Sequence, residues 1–360
     1  MIVRMEIIDQ AAVDRFGDRL VAMLNESALA LMFSIGHRTA LFDLLAGLPP
    51  LTSTAIAERA GLQERYVREW LDALTVGKVL VHEVEGGTYQ LPTEHASLLT
   101  RAAAPDNLAA FMQYIPLLGA VEDRIIEAFR QGGGVPYSAY PRFQEVMADD
   151  SGQTVLPALL EHILPLSAGL TDRLQEGIDV LDLGCGSGRA LNLMAATFPD
   201  SRFNGYDLSE VGVAAGRTEA TRRGLDNLRF AVRDAARFDE PERYDLICTF
   251  DAVHDQADPA AVLANIHRAL RPGGVYLMQD IAGHSHVHDN LDHPLGPLLY
   301  TVSCLHCMTV SLAEGGAGLG AMWGRETALQ MLADAGFPAT EVHHLDHDPQ
   351  NAYYVSSKAR

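Results

Sequence analysis

The chain has 360 residues, 48% of them hydrophobic and 21% charged, and a formal net charge of −20 at pH 7. This length predicts two or three domains with ample core. The acidic balance argues against nonspecific binding to nucleic acid or anionic lipid, because both need a positive field. Four cysteines do not make a disulfide framework in so long a chain. The start, with Arg4 and Glu6, is not typical of a signal peptide, and no apolar run approaches a membrane span. We therefore expect a cytoplasmic protein.

Apolar residues at helical spacing characterise residues 7–48. Phe16, Leu20 and Leu24 belong to this pattern, which is too apolar for an isolated small domain. Burial against a second subunit explains it, and docking on the rest of the chain is the alternative.

Residues 51–91 predict a winged helix. Ser53 is placed to cap a first helix that stops at Gly61, and a second helix follows over residues 63–76. Two alternating segments then flank Gly86 and Gly87 as a hairpin. Residues 51–100 carry four basic and seven acidic side chains, a net charge of −3 and the wrong sign for a DNA reader. Dimerisation and closure of a pocket are the expected roles, with a DNA-binding regulator as the alternative.

Two long helices are predicted between the winged helix and the next domain, over residues 106–130 and 154–174. From residue 178 onward, strands and helices alternate regularly, which predicts a parallel sheet with helices on both faces. Residues 340–345 and 352–357 read as a closing antiparallel hairpin. Ligands of such sheets bind outside the carboxyl ends of the strands. An acid marks each of the first five ends: Asp182, Asp207, Asp234, Asp251 and Asp280.

A glycine-rich turn follows the first of these strands, over residues 184–188. Glycine serves where the backbone turns sharply and touches a ligand, and the helix start beyond it favours a polar or anionic group. Asp207 ends the second strand, where an acid can accept both hydroxyls of a ribose. The third glycine comes two residues after the second, whereas a dinucleotide fingerprint has a spacing of three. A glycine turn without a ligand is the alternative.

This pattern, with an acid two residues before the first glycine, resembles motif I of the class I S-adenosylmethionine-dependent methyltransferases. Residues 271–274, Arg-Pro-Gly-Gly, match the family again before the fifth strand. With the winged helix, the layout resembles small-molecule O-methyltransferases of plants and bacteria, and most closely actinobacterial winged-helix methyltransferases of undefined substrate. The resemblance covers nearly the whole chain.

The resemblance implies an α/β fold: a Rossmann-like, seven-stranded methyltransferase domain preceded by an all-helical and winged-helix dimerisation domain. It implies three parts: residues 1–100 for dimerisation, 101–175 as helices roofing the substrate pocket, and 176–360 for cofactor binding. The cofactor is S-adenosylmethionine, the partner a second copy of the chain, and the substrate a small molecule. The implied cofactor residues are Asp182, Gly184, Gly186, Gly188, Asp207, Leu208, Asp234, Ala235 and Phe250.

His254 and Asp255 match a His-Asp pair that supplies the general base in the plant-type enzymes. Imidazole titrates in the range needed to take a proton from an attacking hydroxyl. The family adds an acid on a later helix to orient the histidine, and the sequence does not place it. We expect methylation of a small, fairly apolar acceptor, most simply at oxygen. A ligand-sensing regulator and a non-catalytic cofactor-binding protein are the alternatives.

A histidine-rich stretch, residues 284–293, follows the fifth strand. A metal site is one interpretation, but alternating side chains on extended chain point to opposite faces, so we expect no metal and a substrate-pocket wall instead. Arg142 is a further candidate for a cofactor or substrate contact, with plain core as the alternative for the aromatic residues. The candidate substrate contacts are Tyr140, Phe143, Asp280, Asn290, His306 and Trp323.

Overall fold

The computed structural model describes residues 8–360, which divide into two compact units, 8–116 and 117–360. The predicted start of the first helix at Ile7, and residues Arg4 and Glu6, lie outside the described residues. The three-part division of the chain stays a prediction. In the structure, the bridging segment after residue 116 belongs to the C-terminal unit.

The N-terminal unit is a helical array with a small antiparallel sheet. Its helices are Gln10–Arg38, Leu41–Leu45, Ser53–Ala60, Glu64–Val76, Thr93–Ala96 and Leu108–Phe111, with a 3-10 turn at Arg101–Ala103. Its strands are β1 (Leu51–Thr52), β2 (Val81–Glu83) and β3 (Thr88–Gln90), in the order β1-β3-β2. The predicted winged helix is confirmed. Its first helix is capped by Thr52, whose hydroxyl accepts the Ala55 amide at 3.3 Å, and not by Ser53.

The core of this unit forms where the two winged-helix helices meet the end of the first helix. Trp70, Leu71 and Leu74 lie on one buried face of Glu64–Val76, and the Trp70 indole donates to the Met32 carbonyl at 2.8 Å. Tyr66, about one turn before Trp70 in the same helix, is 81% exposed and does not belong to this buried face.

Much of the first helix has no covering within its own unit. Residues 10–28 are all exposed. The large apolar residues among them are Val13, Phe16, Leu20, Val21, Met23 and Leu24, each between 48% and 71% exposed. By length and composition alone, two stretches of described helix could cross a membrane, Gln10–Arg38 and Gly296–Ala313. The sequence reading did not anticipate either.

The bridging segment breaks into shorter elements than predicted. Residues 106–131 form Leu108–Phe111, Tyr114–Gly119 and Glu122–Gln131, because Pro116 and Gly119 interrupt a continuous helix. A 3-10 turn, Tyr137–Ala139, and the helix Phe143–Ser151 follow. The predicted helix over 154–174 is instead a π-helical turn at Leu159–Ile163, a 3-10 turn at Leu164–Leu166 and the helix Leu170–Glu176.

The C-terminal unit is built on a sheet of seven described strands in the order β6-β5-β4-β7-β8-β10-β9. The strands are β4 (Asp179–Leu183), β5 (Arg202–Asp207), β6 (Leu228–Val232), β7 (Tyr244–Phe250), β8 (Leu270–Ile281), β9 (Thr340–Leu345) and β10 (Asp348–Ser357). Those from β4 to β8 pair in parallel, and β10 runs antiparallel to both β8 and β9. The predicted closing hairpin is confirmed. The sheet order reverses beside β4, so the crevice for a ligand opens at the carboxyl ends of β4 and β7.

Helices flank the sheet, and apolar clusters pack on its two faces. The flanking helices are Arg189–Thr197, Glu210–Arg223, Pro259–Ala269 and Gly324–Asp334. Between β8 and the last of them lie a 3-10 turn at Val287–Asn290, the helix Gly296–Val302, a π-helical turn at Ser303–Cys307 and the helix Met308–Ala313. This insertion follows the strand end at which Asp280 stands.

Two glycines of the first helix provide a matched test of the N-terminal core. A Cβ at Gly36 would lie 2.5 Å from the Phe42 ring and 2.6 Å from the Trp70 ring, whereas a Cβ at Gly17 would meet nothing within 4 Å. Gly36→Ala should therefore destabilise the unit by about 1–3 kcal/mol through overpacking. Gly17→Ala should stabilise it by up to about 1 kcal/mol through helix propensity. Denaturant unfolding followed by circular dichroism measures both, and equal effects would contradict the packing.

Candidate active site

The glycine turn after β4 is hydrogen-bonded to the carboxyl end of β5. The amides of Gly184 and Cys185 donate to the Tyr206 carbonyl, at 2.8 and 3.2 Å. Gly186 donates its amide to Asp207 Oδ2 at 2.7 Å, and Ser209 donates to Oδ1 at 2.7 Å. Gly184 has φ +72°, and a Cβ there would lie 2.4 Å from that of Ala252. The turn therefore touches the loop that follows β7.

A buried carboxylate, Asp182, and a partly buried one, Asp207, interact electrostatically at this turn. Asp182 is 2% exposed, and its Oδ1 has no hydrogen-bond partner among the described residues. Burial, and then the charge of Asp207, raise the pKa of Asp182. Burial also raises the pKa of Asp207, against the amides of Ser209 and Gly186. A positively charged ligand with hydroxyl groups would relieve both carboxylates. A nucleoside sulfonium such as S-adenosylmethionine has this chemistry, so the residues present fit the implied cofactor.

The other predicted cofactor residues lie at neighbouring strand ends. Asp234 caps the turn after β6, where its Oδ1 accepts the Ala236 amide at 2.8 Å, and Ala235 is partly buried there. Phe250 ends β7 and packs against the apolar cluster of one sheet face. Leu208 is 64% exposed. The structure brings these positions to one edge of the sheet, and their contacts with a cofactor stay predictions.

His254 lies buried in the loop after β7, and its carboxylate partner is Asp280, at the end of β8. His254 Nδ1 and Asp280 Oδ1 are 2.8 Å apart, with side chains 4% and 0% exposed. A carboxylate accepts only, so Nδ1 carries the proton and Nε2 is the nitrogen that can take another. Burial on its own lowers the pKa of His254, but the Asp280 charge and Cys307 raise it well above its ordinary value. The pair is the arrangement expected of a general base.

Asp255, predicted with His254, has a different partner. It accepts a hydrogen bond from Gln256 Nε2 at 3.2 Å. Burial raises its pKa to about 6, against the opposing charge of His254. The acid that contacts His254 is thus at a strand end and not on a later helix. The sequence carried a signal for it, because Asp280 is one of the acids that end strands.

Asp251 begins the loop that carries His254, and its backbone is strained. Its φ is +50°, a conformation that few residues other than glycine adopt. Its amide donates to the Gln279 carbonyl at 3.0 Å, and its Oδ2 accepts from Gln279 Nε2 at 3.0 Å. One polar atom each from Asp251, His254 and Asp280 lie within 4.8 Å of one another. Hydrogen bonds from Gln279 and His254 already engage one oxygen of each carboxylate, so we interpret the group as a polar network.

Aromatic rings gather above this network, within the C-terminal unit. His306, 1% exposed in the π-helical turn, stacks on Phe143 with centroids 3.7 Å apart, and Tyr137 and Tyr140 meet it edge-on. The Tyr140 hydroxyl donates to the Leu305 carbonyl. Neither ring nitrogen of His306 has a partner among the described residues, and burial, with His254 nearby, lowers its pKa to about 3. It is therefore a neutral ring with unused polar atoms.

Tyr137 belongs to the same cluster, although sequence reasoning did not select it. Burial, and then the charges of Asp255 and Asp207, raise the pKa of its phenol. Its phenol therefore lies within electrostatic range of both Asp255 and Asp207. Arg142, by contrast, points away to an ion pair with Glu145 at 2.8 Å.

The histidine-rich segment folds into local contacts. Asn290 Oδ1 accepts the His284 amide at 2.9 Å, and its Nδ2 donates to the His284 and His286 carbonyls. Its amide is thus committed to holding the segment, and a substrate contact by Asn290 stays a prediction. His286 and His288 stack side by side, 5.5 Å apart, and do not point to opposite faces, because the segment curls into a 3-10 turn. In the described part of the chain, no metal-type cluster includes a histidine of this segment.

The fold and this site define a class I methyltransferase domain behind a winged helix, and comparison with known proteins agrees. Residues 27–101 match the family model of the Rv2258c-like winged HTH domain, and residues 174–331 match a methyltransferase domain model. The chain thus combines an Rv2258c-like winged HTH domain with a methyltransferase domain.

Curated relatives match part of the chain. Trans-aconitate 2-methyltransferase of Methylobacterium radiotolerans is 34% identical over 34% of this chain and 43% of its own length. Acetylserotonin O-methyltransferase of Rattus norvegicus is 28% identical over 66% of this chain and 57% of its own. The chain spans about half the length of the curated relatives it matches.

Solved structures match nearly the whole fold. Human N-acetylserotonin methyltransferase, crystallised in complex with SAM, has a TM-score of 0.69 and 18% identity, with 99% of each chain covered. A putative O-methyltransferase from Nostoc punctiforme has a TM-score of 0.70 and 19% identity, with 95% of this chain and 98% of that chain covered. These likenesses establish the architecture of both units.

Proposed function

We propose that this protein transfers a methyl group from S-adenosylmethionine to an oxygen atom of a small-molecule acceptor, with His254 as general base. The observation that carries the proposal is the buried pair of His254 and Asp280. His254 is on the loop after β7, and Ala252 of that loop contacts the glycine turn at Gly184. Relatives named for oxygen methylation, such as a fatty-acid O-methyltransferase of Mycolicibacterium smegmatis, support the choice of oxygen.

The residues divide the work between binding and proton transfer. Asp207, which anchors the glycine turn, would hold the ribose hydroxyls, and Asp182, whose Oδ1 has no partner among the described residues, would compensate the positive charge of the cofactor. When bound, S-adenosylmethionine supplies a methyl carbon on a sulfonium, which passes to the acceptor oxygen and leaves the thioether. His254 Nε2 takes the hydroxyl proton, while Asp280 fixes the ring through Nδ1 and stabilises the imidazolium that forms. Because the pKa of His254 is raised, its basic form, and with it the rate, increases as the pH rises through that pKa.

The acceptor we propose is small, neutral and fairly apolar. The aromatic cluster of Tyr137, Tyr140, Phe143 and His306 lies where the acceptor would approach the base. The carboxylates of Asp251 and Asp255 lie within electrostatic range of His254 and disfavour an anionic acceptor.

Binding of the cofactor is tested first by calorimetry with S-adenosylhomocysteine, the demethylated product. We expect heat of binding for the unmodified protein and its loss in Asp207→Ala, because that change removes the ribose acceptor and one anchor of the glycine turn. Asp226→Ala, an exposed acid before β6, is the control that should bind normally. An absence of heat in the unmodified protein would remove the proposal.

The base is tested by following release of S-adenosylhomocysteine with a panel of phenols, alcohols and carboxylic acids. His254→Ala should lower the rate on a hydroxyl acceptor about a hundredfold or more, while calorimetry shows normal cofactor affinity. His162→Ala, an exposed histidine of the same unit, should change neither. A carboxylate acceptor carries no proton to remove, so an unchanged rate would refute the base and point to that class. Added chelator should have no effect.

We also propose that the exposed apolar face of Gln10–Arg38 binds a second copy of the chain. The stretch of residues 10–28 is about 28 Å long at the helical rise of 1.5 Å per residue, long enough for a helical interface. Acids and bases alternate along it, at Asp14, Arg15, Asp18 and Arg19, which suits pairing with a copy of itself. A bilayer core would leave these charges unsolvated, and the net charge of −20 repels anionic lipid.

Sedimentation velocity tests the dimer. The unmodified protein should sediment at twice the chain mass, and Leu20→Asp with Leu24→Asp should shift it to the monomer, because two charges enter the apolar interface. Val84→Asp, which changes a still more exposed apolar residue in the hairpin turn of the wing, is the control that should stay dimeric. A monomeric unmodified protein, or binding to neutral lipid vesicles, would contradict the proposal.

A further inference from the structure

The Asp280 carboxylate is held by more than His254. Its Oδ1 accepts three hydrogen bonds: from His254 Nδ1 at 2.8 Å, from Trp323 Nε1 at 2.9 Å and from the Ile281 amide at 2.8 Å. Its Oδ2 has no partner among the described residues. Because three donors meet on one oxygen, the carboxylate cannot turn without losing all of them.

Trp323 is placed by residues that the proposed reaction does not otherwise use. The indole is 5% exposed and packs in the apolar cluster beside Val253 and Tyr354. Its own carbonyl accepts from the Ser285 hydroxyl at 2.8 Å. Immediately after it, Gly324 has φ +79°, and a Cβ there would lie 2.1 Å from the Ser285 nitrogen. The backbone at Trp323 is thus pressed directly against the start of the histidine-rich segment.

Further contacts lock the two segments together. Arg325 donates its amide to the Gly283 carbonyl at 2.8 Å. Glu326 accepts the Ser285 amide at 2.8 Å and lies 2.8 Å from His284 Nδ1. The hydrogen bond from His284, and then that from Ser285, lower the pKa of Glu326 to about 2. These contacts give residues 283–285 a structural role.

We propose that Trp323 is a positioning residue for the base: its indole N–H fixes the Asp280 carboxylate against His254, and residues 283–285 with Glu326 hold the indole there. The inference rests on the proposed function, in which His254 takes the proton. It adds to the His254–Asp280 pair a tryptophan and the contacts of residues 283–285 with Glu326, which we call the clamp.

The surroundings of the pair determine what a test must separate. Asp251, Asp255, His306 and Cys307 interact electrostatically with His254. Tyr276 and Tyr354 experience the charge of Asp280. None of these groups is altered by Trp323→Phe, which removes the indole N–H together with part of the ring, so the second experiment keeps Trp323.

The first experiment is an NMR titration of the histidine rings in the full-length, ligand-free protein. In Trp323→Phe the Asp280 charge is no longer shared with the indole, so His254 should hold its proton more tightly. Its titration midpoint should rise by about one pH unit, the size expected for one hydrogen bond to a charged group. Trp70→Phe, which removes the indole bond to the Met32 carbonyl, should leave the midpoint unchanged. An unchanged midpoint in Trp323→Phe would overturn the proposal.

The second experiment keeps Trp323 and so does not depend on the folding of that variant. The chain has two tryptophans, and Trp70→Phe leaves Trp323 as the sole fluorophore. Protonated imidazole quenches a neighbouring indole, so emission should fall as the pH drops through the His254 midpoint. The transition should vanish with His254→Gln added and persist with Asp255→Asn or His162→Gln added. The proposal would be refuted if the transition persists after His254→Gln is added, or if the Trp70→Phe protein shows no transition. Both readouts use the free protein, so failure of methyl transfer is recognised separately.

Discussion

Burial of a carboxylate at the end of β8 is the constraint on which the site depends. Asp280 is completely buried, and a buried charge is tolerated only when it is paired and hydrogen-bonded. Donors from three separate stretches supply that pairing: the loop after β7, the strand itself and the residue before the last flanking helix. Satisfying one oxygen therefore fixes the position of the histidine, and a misplaced loop would leave the charge uncompensated.

The sheet order explains why this pair lies next to the cofactor turn. β4 lies between β5 and β7, so the glycine turn rests on the end of β5 on one side and touches Ala252 on the other. One close contact, which only glycine at residue 184 allows, brings the proposed base within reach of the proposed methyl donor. The strained backbone of Asp251, tied to Gln279, turns the chain sharply enough to place His254 there.

Local patterns foretold much of the fold. Apolar strands followed by acids, the glycine spacing after β4, and alternation around Gly86 and Gly87 each depend on neighbours in sequence, and the structure has the strands, the turn and the wing. The predicted secondary structure was wrong in the bridging segment. The segment after residue 154 has the apolar spacing of one helix, yet forms a π-helical turn, a 3-10 turn and a short helix. Pro157, Pro165 and Gly169 interrupt a continuous helix there, and packing within the C-terminal unit buries Val155, Leu159 and Ile163.

The sequence by itself determined the class of protein: a winged helix followed by a nucleoside-binding sheet, with a histidine after the fourth strand of that sheet. Those features depend on short-range periodicity and on glycine positions, and both can be identified directly in the sequence. Only the tertiary structure decided that Asp280 and not Asp255 grips His254, and that Trp323 joins them. His254 and Trp323 lie 26 and 43 positions from Asp280 in the chain, so the local sequence does not indicate which buried carboxylate pairs with which donor.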